Sequence, residues 1–148
     1  MIITKHIEWD MGHRLLHHSS KCHNLHGHRY LLEASLQGNI QTTYGNSSEG
    51  MVLDFSEIKQ ILTEEVYTRL DHGFLIWEQD TDLLDFFNNH SDLKYVVVPF
   101  TSTAENIAQW IFDLLTNIFQ EQYGEHLTLY RIRLWETPHS SVEVTQSL

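Results

Sequence analysis

Only one cysteine stands among the 148 residues, so no disulfide can close within the chain. No stretch of about 18 consecutive apolar residues occurs, which excludes a membrane-spanning helix. The opening Met1-Ile2-Ile3-Thr4-Lys5-His6 lacks the basic segment followed by a continuous apolar one that marks an export signal. A reducing cytoplasm is therefore the expected location. Lysine and arginine are scarce, nine against twenty acidic residues, giving a formal net charge of −11. That balance argues against nucleic-acid binding through phosphate neutralisation. Repeats, linkers and low-complexity segments are missing as well. The expectation is one globular domain, 1–148, large enough to bury a sizeable core.

What the chain has in excess is histidine. There are eleven, and seven of them (His6, His13, His17, His18, His23, His26, His28) fall within the first 28 residues. They are interspersed with other residue types, unlike a purification tag.

Residues 3–13 alternate imperfectly, with Ile3, Lys5, Ile7, Trp9, Met11 and His13 on one side and Thr4, His6, Glu8 and Asp10 on the other. This is the pattern of a half-buried strand. A second strand is expected from His26, whose register His26, His28, Tyr30, Leu32, Ala34, Leu36 runs to Gly38-Asn39. Residues 41–50 are rich in turn formers and read as a loop. Asp54 with Glu57 resembles a capping box opening a helix that carries Phe55, Ile58, Ile61, Leu62, Val66 and Leu70. A loop with Asp71-His72-Gly73 follows, then a short helix near 82–88 and an extended run at 94–99. Ser102-Thr103-Ala104-Glu105 reads as another capping box. The helix it opens has one apolar stripe through Ile107, Trp110, Ile111, Leu114, Leu115, Ile118 and Phe119. Strands at 128–136 and 141–146 close the chain. The order predicts an α+β fold, an antiparallel four-stranded sheet with two main helices on one face.

Residues two apart in a strand project to the same side, so His26 and His28 point together. His13 ends the first strand on its apolar face, and antiparallel pairing brings it beside them. Three imidazoles then meet at one end of a hairpin, and Gly27 permits close backbone approach there. Zinc accepts histidine nitrogens at about 2.0–2.1 Å, and three protein ligands leave a coordination position open for catalysis. A histidine on an apolar face can equally be a hydrogen-bonded core residue; the convergence of three favours a metal.

Cys22 lies four residues before His26. A single cysteine is often a small buried hydrophobe, but Ser19, Ser20, Lys21, His23 and Asn24 make its surroundings polar. A metal and Lys21 nearby would favour the thiolate, which can act as base or nucleophile. Asp71 and His72, adjacent in a loop, suit an acid/base pair in which the carboxylate sets the charge and tautomer of the imidazole. Glu136 falls in register with the apolar Tyr130, Ile132 and Leu134, and a carboxylate so placed needs partners. The NH and NH2 of a guanine-like or pterin ring edge would supply two.

Cys22-His23-Asn24-Leu25-His26-Gly27-His28 resembles the Cys-x3-His-Gly-His signature of the 6-pyruvoyl-tetrahydropterin synthase superfamily, in its bacterial 6-carboxytetrahydropterin synthase branch of queuosine biosynthesis. The resemblance continues at Met11-Gly12-His13-Arg14, Met51-Val52-Leu53-Asp54-Phe55, Leu70-Asp71-His72, Thr103-Ala104-Glu105-Asn106 and Trp135-Glu136-Thr137. It spans nearly the whole chain in order. It implies zinc held by His13, His26 and His28, with Cys22, Asp71 and His72 moving protons. Glu136 would anchor the pterin, and Glu105 and Thr103 would shape its pocket. The implied fold is the tunnelling fold (ββααββ), whose sheets join between subunits into a β-barrel. The implied assembly is a homo-hexamer, a dimer of trimers, in which Asp71 and His72 come from a neighbour of the chain supplying Cys22.

The implied substrate is 7,8-dihydroneopterin triphosphate, cleaved to the 6-carboxy product with release of acetaldehyde and triphosphate. The short gap between Cys22 and His26 resembles the carboxy-forming rather than the pyruvoyl-forming enzymes. A triphosphate approaching so acidic a protein needs local positive charge, and Arg14 and Lys21, with His17, His18 and His23, are the expected contacts. The run Pro99-Phe100-Thr101-Ser102-Thr103 departs from the family's usual Asn-Pro-Thr lead-in, and His23 replaces a small or basic residue. Two other readings remain open: a pyruvoyl-forming or side-chain-cleaving enzyme of the same fold, and a zinc-containing oligomer that binds a pterin or purine without turnover.

Overall fold

The computed structural model describes residues 1–146; the last two residues of the domain expected over 1–148 lie outside the described ones. The two N-terminal strands form as their alternation dictates. β1 (Ile2–His13) and β2 (His26–Gly38) pair antiparallel along their whole length, from Ile2 opposite Gln37 to His13 opposite His26. β2 then pairs with β5 (Leu127–Thr137), and β5 with β6 (Ser140–Thr145), both antiparallel. These are the four expected strands. The sheet also carries two more, β3 (Gly73–Trp77) and β4 (Tyr95–Val98), so its order is β4-β3-β1-β2-β5-β6. β3 lies parallel to β1, and β4 parallel to β3. Residues 74–77 read from sequence only as a continuation of the Asp71-His72-Gly73 loop. An apolar run of four carries no period to reveal a strand.

Helix α1 (Phe55–Leu62) continues through a π-helical turn (Thr63–Tyr67) into α2 (Thr68–Leu70). Asp54 caps it, accepting from the Ser56 amide, but Glu57 does not reach back to complete a box; its carboxylate accepts from the Tyr123 hydroxyl at 3.1 Å. The short helix is α3 (Thr81–Asn88), and the long one is α4 (Ala104–Tyr123), ended by Gly124 at φ +61°. In α4 the cap is Thr103, one residue later than expected, which releases Ser102 for another task.

Tyr30, Leu32, Ala34 and Leu36 of β2 are fully buried against Ile58, Leu62, Ile107, Ile111 and Leu115 of α1 and α4. One face of the sheet thus holds the main core. α3 lies on the other face at the β3–β4 edge, where Ile76, Leu83 and Phe87 form a small cluster with Phe74 and Tyr95. Elsewhere that second face is polar: Arg133 pairs with Glu143 at 2.6 Å, and the Trp135 indole donates to Glu33 at 3.1 Å. Among the described residues, no helix is long and apolar enough to cross a membrane.

Candidate metal centre and substrate cavity

The β1–β2 register sets His13 directly opposite His26 and Met11 opposite His28, all on the helix-covered face. The cross-strand neighbours Gly12 and Gly27 sit close together. A Cβ on Gly27 would lie 2.9 Å from the Met11 carbonyl oxygen, so the strands could not approach this closely with any larger residue. The ring centroids of His13, His26 and His28 are 4.6 to 5.3 Å apart, and one nitrogen from each lies within 4.8 Å of the others.

The hydrogen bonds define which nitrogens are free. A carbonyl oxygen can only accept, so Nδ1 of His13 donates to the Ser102 carbonyl and Nδ1 of His26 to the Asn24 carbonyl, each at 2.8 Å. In the neutral ring the lone pair is then on Nε2. This outer partner is what a metal-ligating histidine requires. Nε2 of His28 is buried with no hydrogen-bond partner, 3.8 Å from a Glu136 oxygen. An unpaired nitrogen facing two lone pairs fits a cation and fits little else. Burial pushes His13 down to about 4, despite the Ser102 carbonyl, and burial also lowers His28 against the pull of Glu136. Both rings are therefore neutral at ordinary pH, as ligands must be.

Beside the triad opens a cavity of about 260 Å³. His13, His26, Cys22, Thr103, Glu105 and Glu136 all line it. Cys22 is carried there by the single turn Lys21–His23, tied to the strand end by the Leu15 amide donating to the Cys22 carbonyl at 2.8 Å. Thr103 and Glu105 arrive on the first turn of α4, and Glu136 on β5 just beyond the Leu31–Trp135 pair.

Asp71 and His72 lie elsewhere. His72 donates from Nδ1 to Asp71 at 2.7 Å, and the Asp71 carboxylate also accepts from the Asp10 amide at 3.1 Å. Burial pushes the Asp71 carboxyl up, but hydrogen bonds from His72, Asp10 and Tyr67 outweigh it and hold it below its ordinary value. His72 is exposed at φ +56°, and it lines a shallow groove with Asp10, Met11, Gly12, Gly27, His28 and Arg29. Within one chain, neither Asp71 nor His72 lines the Cys22 cavity.

The whole described chain is similar to known proteins. The family model described as 6-pyruvoyl tetrahydropterin synthase matches residues 2–147. The chain belongs to the 6-pyruvoyl tetrahydropterin synthase family. A protein of Haemophilus influenzae named 6-carboxy-5,6,7,8-tetrahydropterin synthase is 37% identical over 148 aligned residues, covering 95% of this chain and 96% of that one. One of the same name from Rickettsia felis is 34% identical, covering 95% and 97%. Among solved structures, an uncharacterized protein of Wolinella succinogenes superposes with a TM-score of 0.73 at 25% identity, covering 99% of each chain. The 6-pyruvoyl tetrahydropterin synthase of Caenorhabditis elegans superposes at 0.69, covering 99% and 96%; at 24% identity it bears on the fold alone.

This member of the 6-pyruvoyl tetrahydropterin synthase family corrects one expectation. Arg14 does not reach the cavity as a free phosphate contact. Following His13 in the strand, it turns to the other face, where Nε and Nη2 donate to both oxygens of Asp80 at 2.6 and 2.5 Å. Asp80 is buried and also caps α3 by accepting from the Leu83 amide. Lys21 stays exposed on its turn. Three residues escaped the sequence reading as site residues. Ser102 is fully buried; its carbonyl holds His13, and its hydroxyl donates to the Arg14 carbonyl at 3.1 Å. Asp80 is the second, signalled only by its place before an acidic helical turn. Tyr30 is the third, readable only as one more apolar position of β2.

Proposed function

We propose that this chain is a zinc-dependent 6-carboxy-5,6,7,8-tetrahydropterin synthase, a carbon–carbon lyase of queuosine biosynthesis working in the cytoplasm. The observation that carries the reading is the three-histidine cluster beside a cavity that also holds Cys22 and Glu136. The names of its relatives in Haemophilus and Rickettsia support the carboxy-forming branch.

The substrate is 7,8-dihydroneopterin triphosphate. Glu136 accepts the NH and NH2 of the pterin edge, a charge-assisted pair of hydrogen bonds, while Glu105 and Thr103 bound the ring. His13, His26 and His28 hold the metal. Bound there, zinc supplies Lewis acidity to the oxygens of the substrate side chain. Cys22 takes a carbon-bound proton from that side chain, a role its position in the same cavity permits. His72, its Nδ1–H held by Asp71, passes protons through Nε2. Lys21, with His17, His18 and His23, meets the triphosphate; Arg14, neutralised by Asp80, is left out. With water consumed, the products are the 6-carboxy pterin, acetaldehyde and triphosphate.

Because the Asp71–His72 pair does not line the Cys22 cavity of its own chain, a complete site takes them from two copies. The proposed assembly is a homo-hexamer of two trimers. Incubation with dihydroneopterin triphosphate, with and without chelator, tests the reading by assay of both pterin and aldehyde. Acetaldehyde and 6-carboxytetrahydropterin, lost on chelation and restored by zinc, are expected. A pyruvoyl pterin without aldehyde would reassign the chain to the pyruvoyl-forming enzymes, and binding without turnover would make it a pterin-binding oligomer.

A further inference from the structure

Tyr30 is fully buried, yet it carries a hydroxyl that must donate somewhere. Its ring lies under the histidine cluster, edge-on to His13 and His28 at centroid distances of 6.2 and 5.7 Å. Its oxygen is 3.5 Å from Nε2 of His13, a long contact to the one lone pair that ring has free. On the other side is Glu136. Leu31 and Trp135 are the last pair of the β2–β5 ladder, Tyr30 and Glu136 follow it on the two strands, and a Glu136 oxygen lies 3.8 Å from Nε2 of His28, whose ring is edge-on to Tyr30.

The phenol and a metal ion therefore compete for the same lone pair on His13. When the ion takes it, the only acceptor left to the hydroxyl among these neighbours is the Glu136 carboxylate, which is also the stronger one. We propose that Tyr30 is a positioning residue that links the two halves of the site: metal occupancy turns its O–H onto Glu136, fixing that carboxylate for the pterin edge. This rests on the pterin reading above and adds an order to it. The metal binds first, and the ring anchor is organised as a result.

The test uses unsubstituted pterin, which has no side-chain hydroxyl to touch the metal, so any effect of zinc on its binding must travel through the protein. Binding is titrated by fluorescence on chelator-treated and zinc-reloaded protein. In the wild type, zinc is expected to tighten pterin binding by roughly three- to tenfold, the worth of about one hydrogen bond to a charged group. Tyr30→Phe is expected to bind zinc within about threefold of wild type while losing this tightening. Glu136→Gln supplies a second measurement, since a residue acting through Glu136 adds nothing once that carboxylate is gone. The double variant should bind pterin no more weakly than Glu136→Gln alone.

Equal tightening in Tyr30→Phe, or additive losses in the double variant, would overturn the proposal while leaving the enzyme reading intact. So would wild-type turnover of dihydroneopterin triphosphate without any effect of zinc on pterin binding. A wild-type protein that neither binds pterin nor turns over substrate would remove both.

Discussion

The Arg14–Asp80 pair offers the sharpest test of how the strand end beside the metal ligands is held. The side chains retain 14% and 3% of their exposure, and two hydrogen bonds join them. Asp80→Ala leaves a guanidinium in a site that excludes most water, a change costing about 3–5 kcal/mol. It also removes the α3 cap, at about 1 kcal/mol. The expected loss is about 4–6 kcal/mol, which for a chain of this size lowers the melting temperature by about 13–19 °C. Asp80→Asn keeps a capping side chain and should lose less. Arg14→Met with Asp80→Ala removes both charges together and should recover most of the loss, because a buried pair is worth little against apolar replacements of similar volume. Urea denaturation of the four proteins, with a common slope, reads these differences. If Asp80→Ala unfolds within about 1 kcal/mol of the wild type, or the double variant is weaker than the single, the pair does not act as described.

Three further outcomes follow from the site. Cys22→Ala should slow acetaldehyde release by at least about 100-fold, the scale of losing a positioned proton acceptor, with bound zinc unchanged by metal analysis. Ser102→Ala, which frees the Arg14 carbonyl and loosens the carbonyl that orients His13, should weaken zinc by about tenfold in chelator competition; Ser102→Thr should restore it. Once stripped of metal, the protein should lose stability on acidification. His13 accepts a proton at about 4 when folded but near 6.5 when unfolded, so the contribution is complete above pH 6.5 and falls away toward pH 4. The loss by pH 4 is about 3 kcal/mol, and urea melts of His13→Asn should lack it.

The parts of the site that obey a strand's twofold period were legible in the sequence. His13, His26, His28 and Glu136 were all placed from which neighbours they alternate with, and the register sets the three histidines together. What stayed hidden depends on contacts across long separations. Arg14 looked free because its partner Asp80 is 66 residues away on the opposite face. Ser102 looked like the cap of α4, but Thr103 takes that place and Ser102 turns to His13, 89 residues earlier. β3 was missed because parallel pairing to β1 comes from tertiary placement rather than from any turn signal beside it. Tyr30 sits in a run of core residues, and nothing in that run tells that its hydroxyl ends beneath three imidazoles.

The loop 14–25 begins after one histidine of the candidate metal centre and ends before another, yet both histidines belong to strands whose pairing is fixed along their full length without it. Cys22 rides on the loop itself, with the triphosphate contacts proposed at Lys21, His17, His18 and His23. Lengthening or shortening this segment ahead of Asn24, whose carbonyl holds His26, would therefore move the thiol relative to a bound substrate while the three histidines kept their register. Anyone seeking to divert this scaffold to a different bond cleavage has a natural place to cut and splice, and the rest of the hairpin can be left untouched.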